Sequence, residues 1–422
     1  MTPTHKFIAF TSLFSLSFGF GCGSHGETSA SGAGTGGALA AGQGGLVSHA
    51  GASAGAAEAG STSSAGQSSE AGASSGGASA GASSGGSPGV GNAGAGNGGS
   101  AGSASAGSAG VAGAPATGDL VPPRALSVTA PKGRHQATFR AKDADSSVSF
   151  NDNTEIAVLD NRAPTLLGKL VLQFGGVGTN DGTLGGGGEF CARRGFHVLG
   201  IAAFQDYDIV SFGADFFGNA RREVFEGKEY TRLGAFANIQ ITPAAGVAQR
   251  TQKALVYLHA KYPDQDWGYY LQADGSVRWS DVIFTGFSHG GSNAARFAAL
   301  VRASRVVSVS APRENLCVRA DPSNCGGVVA TWLSETPKTP TDRFFALSGT
   351  TDEQHLQQLF AMEKLGYAGK PTSIDGATPP YGSSHRLTTK APHTDFCGDA
   401  RYAAVCNYMF GVPPENQAGI AP

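Results

Sequence analysis

A serine lies between two glycines directly after an apolar run in the second half of the chain. Residues 281–291 read DVIFTGFSHGG, and the pattern G-x-S-x-G centres on Ser288. The flanking glycines, Gly286 and Gly290, predict a sharp turn at which any side chain would collide with neighbouring backbone. A serine hydroxyl held at such a turn can act as a nucleophile, and the helix predicted after it favours negative charge at its N-terminus. These features point to acyl transfer.

A nucleophilic serine needs a base to take its proton and an acid to orient that base. Asp352 follows the apolar run RFFALSG and is expected at the same sheet edge as Ser288, although it could instead cap the next helix. Glu353 is the nearest alternative acid. His393 lies after the last predicted strand and before the last predicted helix, as the base requires, whereas His385 begins an alternating, strand-like stretch. We assign Asp352 and His393, and the reverse assignment of the two histidines stays open.

A glycine-rich turn follows another apolar run, in the segment LVLQFGGVGTNDG. Glycines there allow backbone N–H groups to approach a substrate oxygen, and we predict that the N–H groups of Val177 and His289 form an oxyanion hole. The side chain of His289 is expected to point away from the Ser288 hydroxyl. A phosphate-binding loop is excluded, because no G-x-x-x-x-G-K-[ST] motif occurs and Asp181 stands where a dinucleotide fingerprint has its third glycine.

The elements that must position these residues alternate between short apolar runs and longer helix-like stretches. This alternation predicts an α/β fold, a mostly parallel central sheet with helices on both faces. Strands are predicted at 125–130, 155–160, 169–174, 197–204, 281–286, 305–310 and 343–349. Helices are predicted at 243–262, 353–365 and 401–410. The charged segment 215–232 shows little periodicity and is interpreted as an insertion over the sheet edge, with the question of a lid left open.

Composition divides the chain of 422 residues into very different parts. Residues 23–118 consist almost entirely of Gly, Ala and Ser and lack the apolar side chains needed to close a core, so a disordered, flexible linker is predicted. Residues 119–422 suffice for one globular domain with a sizeable core. A net charge of −2 and the absence of a basic run argue against a nucleic-acid partner.

The N-terminal residues 1–22 predict an export signal. One lysine precedes an apolar stretch, Phe7 to Phe20, that is too short to span a membrane. The end of this segment, GFGC, resembles the lipobox of bacterial lipoproteins, although Gly19 stands where the family usually has Leu. The resemblance implies a lipid on Cys22, and Gly23 after it implies the outer membrane of a Gram-negative cell. The alternative is a secreted protein cut nearby.

Export implies an oxidising compartment, in which closely spaced cysteines form disulfides. Two such pairs occur, Cys317 with Cys325 and Cys397 with Cys406. Cys191 is left over in a helix-like stretch and is expected to be a buried free thiol. Neither pair has C-x-x-C spacing and no H-E-x-x-H cluster occurs, so no metal or organic cofactor is predicted.

The chain resembles the α/β-hydrolase superfamily from about residue 120 to residue 414. The resemblance lies in the chain order Ser288, Asp352, His393 and in the turn after LVLQF. The segment WGYYLQADGSVRWSDVIFTGFSHGG also resembles a group of bacterial secreted hydrolases with a W-x-x-Y-L segment and a Trp-Ser pair before the nucleophile. The matching residues, for which core packing is the simpler account, are Trp267, Tyr270, Leu271, Trp279 and Ser280.

Membership would imply a serine hydrolase, an esterase acting on small-molecule or lipid-like esters through an acyl-enzyme. One fold hosts many substrates, so the ester itself is not indicated. Two alternatives stay open: an inactive α/β-hydrolase fold used as a surface binding module, and peptidase or acyltransferase chemistry on the same scaffold.

Overall fold

A computed structural model of the chain describes residues 125–207, 212–317, 321 and 323–421. The predicted export signal, the predicted lipidation site Cys22 and the predicted linker 23–118 lie outside the described residues. Within the described residues, no helix combines the length and the apolar character needed to pass through a bilayer.

A central sheet organises the described domain. The strands are β1 Arg134–Arg140, β2 Thr154–Asp160, β3 Leu170–Phe174, β4 His197–Gly200, β5 Val282–Phe287, β6 Arg305–Val309, β7 Asn315–Leu316, β8 Val328–Val329, β9 Phe344–Gly349, β10 Thr372–Ser373 and β11 Arg386–Thr389. Nine of them form one sheet in the order β1-β2-β4-β3-β5-β6-β9-β11-β10, and β7 pairs with β8 separately. Strand β2 runs antiparallel to β1 and β4, and the pairs from β4 to β10 are all parallel.

Strand β3 shows why the centre of the sheet is built from continuous apolar runs. All five residues of β3, LVLQF, are buried. Leu170, Leu172 and Phe174 belong to the core on one face of the sheet, and Val171 belongs to the core on the other. Alternate side chains of a strand leave opposite faces, so a strand covered on both sides carries apolar residues at successive positions.

Helices cover both faces of the sheet, which makes a three-layer sandwich. The helices are α1 Ala141–Ala144, α2 Gly185–Ala192, α3 Ala214–Glu226, α4 Val247–Lys261, α5 His289–Leu300, α6 His355–Lys364 and α7 Ala403–Phe410. Apolar residues of α3, α4, α5 and α6 are buried in the core on one face. Those of α2 and α7 are buried in the core on the other. The predicted α/β architecture, a mostly parallel sheet between two helical layers, is confirmed.

The prediction of the first strand is wrong. Residues 125–130 form no strand, and their backbone N–H groups at Thr129 and Ala130 donate to the carbonyl oxygen of Asp264 instead of to the sheet. Strand β1 begins at Arg134 and has the sequence RHQATFR, in which only two positions are buried. As an edge strand with a solvated face, β1 offers too few apolar residues to be recognised from hydrophobic pattern.

The interpretation of residues 215–232 as an insertion over the sheet edge is also wrong. Helix α3 lies in this segment, and its Phe217 and Phe225 are buried in the main core. The helical period was obscured because Arg221 and Glu223 are fully buried among the apolar residues. The segment therefore forms part of the helical layer that covers the sheet.

The predicted disulfides are confirmed. Cys317 pairs with Cys325, and Cys397 pairs with Cys406. Cys191 is free and buried in α2. Burial raises the pKa of this thiol well above its ordinary value, which keeps it protonated and unreactive.

Candidate active site

Ser288 occupies the turn between β5 and α5. Its backbone has φ 55° and ψ −120°, a conformation that a residue with a side chain rarely adopts. A Cβ at Gly286 would lie 2.4 Å from the carbonyl carbon of Gly290, and a Cβ at Gly290 would lie 2.2 Å from the carbonyl oxygen of Gly175. Both glycines are therefore required by close backbone contacts, as the sequence pattern predicts.

Hydrogen bonds hold this strained turn in place. The N–H of Ser288 donates to the carbonyl oxygen of Val309 at 2.9 Å, and the carbonyl oxygen of Ser288 accepts from the N–H of Ser292 at 3.1 Å. One bond ties the turn to strand β6 and the other to the first turn of α5. The Ser288 side chain is partly exposed at the carboxyl end of β5, where a ligand can reach it.

Asp352 and His393 come from the loops after β9 and β11 and meet at the same sheet edge. The Nδ1 of His393 lies 2.6 Å from Oδ2 of Asp352. Oδ1 of Asp352 accepts from the N–H of Gln354 at 2.8 Å, one residue before α6 begins. The carboxylate thus has both contacts considered from the sequence. One oxygen accepts at the start of a helix, and the other binds the imidazole of His393.

Three hydrogen bonds keep the carboxylate of Asp352 ionised. Burial alone would raise its pKa, but donation from His393, from the N–H of Gln354 and from the side chain of Gln358 holds the pKa below the ordinary 3.8. An ionised carboxylate can only accept, so Nδ1 of His393 is the donor of their hydrogen bond. The Nε2 of His393 is then the nitrogen left to take up a proton.

The imidazole of His393 packs beside the turn that carries Ser288. Its ring lies 4.9 Å, centroid to centroid, from the ring of Phe287, the residue directly before Ser288. The His393 side chain is 29% exposed, whereas the side chain of its partner Asp352 is 2% exposed. His393, Asp352 and the turn at Ser288 are thus brought to one edge of the sheet.

Gln358 holds Asp352 through a side-chain hydrogen bond. This residue was not identified from the sequence. Its Nε2 donates to Oδ2 of Asp352 at 2.8 Å and to the carbonyl oxygen of Ser310 at 3.1 Å. Its Oε1 accepts from the hydroxyl of Ser348 at 2.5 Å. Gln358 is fully buried and lies one helical turn before the buried Met362. A glutamine at a core-facing position of a predicted helix was the signal that could have identified it.

The predicted oxyanion donors, Val177 and His289, line the same cavity as Ser288. Neither backbone N–H donates to a backbone carbonyl among the described residues. A Cβ at Gly176 would lie 4.0 Å from Cβ of Ser288, so the loop before Val177 runs against the turn. Their role as oxyanion donors stays a prediction.

The other candidate residues lie elsewhere. His385 directly precedes β11, at the opposite edge of the sheet from His393, and its ring stacks on Phe345 at 3.7 Å. Burial and then the charge of Arg305 lower the pKa of His385. Glu353 is exposed to solvent.

The side chain of His289 is buried under the cavity floor. Its ring packs edge-on against Tyr207 with centroids 4.5 Å apart. Burial, with the nearby charge of Arg221, lowers its pKa well below the ordinary value, so the imidazole is neutral. Across the described residues, no group of three or more His, Cys, Asp and Glu side chains is placed to hold a metal ion.

A cavity of about 550 Å³ opens above Ser288. Its lining combines aromatic and small residues with a few charged ones: Val177, Asp206, Tyr207, Phe212, Arg221, Gly234, Ala235, Ser288, His289, Ser292, Arg313 and Gln354. A volume of this size suits a small organic molecule.

The domain thus combines a mostly parallel sheet between helical layers with a strained G-x-S-x-G serine at a strand-to-helix turn, followed in chain order by an acid and a histidine at the same edge. This is the α/β-hydrolase fold. The resemblance noted in the sequence is confirmed at the level of the fold.

No protein-family model matches the chain. No curated protein matches it either. Among solved structures, substrate-bound fluorophosphonate-binding serine hydrolase F of Staphylococcus aureus is 12% identical, covers 66% of this chain and 98% of its own, and has a TM-score of 0.35. Esterase B of Lactobacillus rhamnosis, inhibited by a tributyrin phosphonate, is 13% identical, covers 69% of this chain and 87% of its own, and has a TM-score of 0.35.

A feruloyl esterase module of Clostridium thermocellum complexed with sinapinate is 12% identical, covers 69% of this chain and 91% of its own, and has a TM-score of 0.32. These similarities are low, so the fold assignment rests on the sheet and on the turn at Ser288.

Proposed function

We propose that the domain is a serine hydrolase that cleaves carboxylic esters through an acyl-enzyme. The observation that carries this proposal is the 2.6 Å hydrogen bond between His393 Nδ1 and Asp352 Oδ2, formed beside a strained turn that presents Ser288. A serine held only as a turn residue would not require an ionised acid and a histidine from two later loops at the same edge. That combination is what nucleophilic catalysis by serine needs.

In the proposed mechanism, the Ser288 hydroxyl attacks the ester carbonyl while Nε2 of His393 takes its proton. The tetrahedral oxyanion accepts hydrogen bonds from the N–H groups of Val177 and His289. The protonated His393 then donates to the leaving alcohol, and an acyl group stays on Ser288. Water, activated by the same imidazole, releases the acid. Asp352 keeps the imidazole oriented and stabilises its positive form.

A fluorophosphonate probe tests this proposal. We expect covalent labelling of the wild-type protein and of Ser304→Ala, and none of Ser288→Ala, with circular dichroism verifying that both variants are folded. Ser304 is a suitable control because it precedes β6, at the opposite sheet edge. Removing the nucleophile should lower kcat for short p-nitrophenyl esters by about 10⁴-fold or more.

Two results would contradict the proposal. Folded wild-type protein that takes no label would favour a surface binding module. Labelled protein that cleaves peptides, or transfers acyl groups to alcohols, faster than it hydrolyses esters would favour peptidase or acyltransferase chemistry on this fold.

We further propose that the chain is exported and anchored by a lipid on Cys22, in the outer membrane of a Gram-negative cell. The support is the apolar segment followed by GFGC in the sequence, together with two disulfides, which persist in oxidising compartments. Fractionation of cells that express wild type and Cys22→Ser tests it. Wild-type protein in the membrane fraction and released variant are expected, whereas soluble wild-type protein would favour secretion.

A further inference from the structure

Ser310 directly follows strand β6 and has a strained backbone. Its φ is 48°, in the left-handed region that residues with a side chain seldom occupy. The residue is buried, with 1% of its surface exposed, and its N–H donates to the carbonyl oxygen of Leu347 in β9 at 2.9 Å. Strain of this kind persists only where the surrounding contacts hold it, and it is concentrated at functional sites. The other contacts of Ser310 therefore indicate its role.

The backbone at the end of β6 is joined to two parts of the candidate site. The carbonyl oxygen of Val309 accepts from the N–H of Ser288 at 2.9 Å. The carbonyl oxygen of Ser310 accepts from Nε2 of Gln358 at 3.1 Å, and the same nitrogen donates to Oδ2 of Asp352. This strand end thus fixes the turn at Ser288 and, through one glutamine, the carboxylate of Asp352.

The hydroxyl of Ser310 is bonded to the residue that directly follows His393. It donates to the carbonyl oxygen of Thr394 at 2.8 Å and accepts from the N–H of Thr394 at 3.2 Å. A serine hydroxyl can donate one hydrogen bond and accept another at the same time. Two bonds to the same residue fix the distance and the orientation of its backbone against β6.

The loop around His393 has few other backbone contacts. Among the described residues, neither His393 nor Pro392 makes a backbone–backbone hydrogen bond. The anchor before them is the carbonyl oxygen of Ala391, which accepts from the N–H of Thr351 at 3.1 Å. The anchor after them is Oδ2 of Asp395, which accepts from the N–H of the second residue of α2 at 2.6 Å. Between these anchors, the hydroxyl at the end of β6 holds the backbone.

We propose that Ser310 is a positioning residue, whose hydroxyl fixes the loop that carries His393 and so sets the approach of the imidazole to Ser288. This role rests on the proposed function, in which His393 takes the proton of Ser288. A displacement of about 1 Å can lower a rate about 100-fold. Release of the loop should therefore slow the reaction even in a folded protein.

Two substitutions of Ser310 separate the hydroxyl from the backbone strain. Ser310→Ala removes the hydroxyl and keeps a Cβ at positive φ, whereas Ser310→Gly removes the hydroxyl and accepts this φ without strain. We expect Ser310→Gly to melt at a higher temperature than Ser310→Ala. Both variants should lower kcat for p-nitrophenyl esters at least about tenfold, with little change in KM. Wild-type kcat in Ser310→Gly would overturn the inference, because relief of strain would then have replaced the hydroxyl.

Thr339→Val is the matched control. Thr339 is fully buried, and its hydroxyl also bridges two backbone groups: it donates to the carbonyl oxygen of Val301 at 2.7 Å and accepts from the N–H of Ala303 at 2.7 Å. These contacts precede β6, at the opposite edge of the sheet from Ser288. The control should lose stability and keep wild-type kcat. An equal fall of kcat in Thr339→Val and Ser310→Ala would refute the positioning role.

Proton NMR reports the placement of His393 without any reaction. The Nδ1 proton that His393 donates to Asp352, across 2.6 Å, should resonate at low field because the hydrogen bond is short, and its absence from His393→Ala assigns it. We expect this signal to shift or broaden in both Ser310 variants and to stay unchanged in Thr339→Val.

The positioning role and the proposed function fail in different ways. If the wild-type protein hydrolyses no ester but the signal changes as expected, the proposed function is wrong and the placement of His393 by Ser310 stands. If wild type hydrolyses esters and both Ser310 variants keep its kcat and its signal, the inference is wrong and the esterase proposal stands.

Discussion

Replacing Gln358 by leucine should weaken catalysis through Asp352, a residue that Gln358 positions. The variant removes donation to Oδ2 of Asp352 and to the Ser310 carbonyl, and it leaves Nδ1 of His355, 2.7 Å away, as the remaining side-chain partner of the Ser348 hydroxyl. The variant loses a buried hydrogen bond to a charged group and leaves the Ser310 carbonyl without this donor. Together these losses should lower the free energy of unfolding by about 2–4 kcal/mol. Loosening of the Asp352–His393 pair should reduce kcat by about tenfold or more, with little change in KM.

The pH dependence separates this role from general destabilisation. The lowered pKa of Asp352 means that its ionised form stabilises the fold above pH 3.8 and that this contribution is lost as pH falls through the lowered value. Without Gln358 the pKa of Asp352 should rise toward 3.8, so the acid loss of stability should begin at higher pH. Fluorescence-detected unfolding between about pH 3 and pH 7 measures this shift.

Gln357→Leu is the matched control, because the neighbouring Gln357 makes only a 3.4 Å contact with the Asn315 carbonyl. The positioning role of Gln358 is refuted if Gln357→Leu and Gln358→Leu give the same kcat and the same loss of stability at acid pH. It is also refuted if Gln358→Leu raises KM with unchanged kcat, since that would place Gln358 in substrate binding.

Further predictions concern the base, the turn and a disulfide. His393→Ala should lower kcat for ester hydrolysis by about 10⁴-fold, while His385→Ala should affect mainly thermal stability. If the large loss of kcat occurs in His385→Ala instead, the assignment of the two histidines is wrong. Gly290→Ala should lower the melting temperature and kcat together, because its Cβ would lie 2.2 Å from a carbonyl oxygen, and calorimetry showing wild-type stability would contradict the close contact. Replacing Cys397 and Cys406 by serine should cost about 2–4 kcal/mol of unfolding free energy, measured with urea, whereas an unchanged midpoint would mean that this bridge adds no stability.

The part of the site that lies on single short segments could be predicted from the sequence. The turn at Ser288 is specified by its own flanking glycines, and the order of Asp352 and His393 follows from which apolar runs precede them. The fold class could also be predicted from short segments, because central strands such as β3 are nearly continuous apolar runs. These signals are local, and they survive without knowledge of tertiary contacts.

The parts that depend on contacts between distant segments could not be predicted. Arg221 meets Glu314 across 93 positions of sequence, and the pairing alone explains why a charged residue can face the core of α3. A charge in that position instead suggested a solvated insertion. Edge strand β1 was missed because its stability comes from pairing with β2, a contact that composition does not reveal.

The carboxylate of Asp352 sets both the start of α6 and the direction of the His393 imidazole. An amide at position 352 could still accept from the N–H of Gln354, but its nitrogen would then face the two donors from Gln358 and His393. The start of α6 would survive, but the imidazole of His393 would turn away or take up its other tautomer. The fold and the proposed chemistry therefore depend on the same functional group. A variant that keeps its fold after such an exchange need not keep its activity.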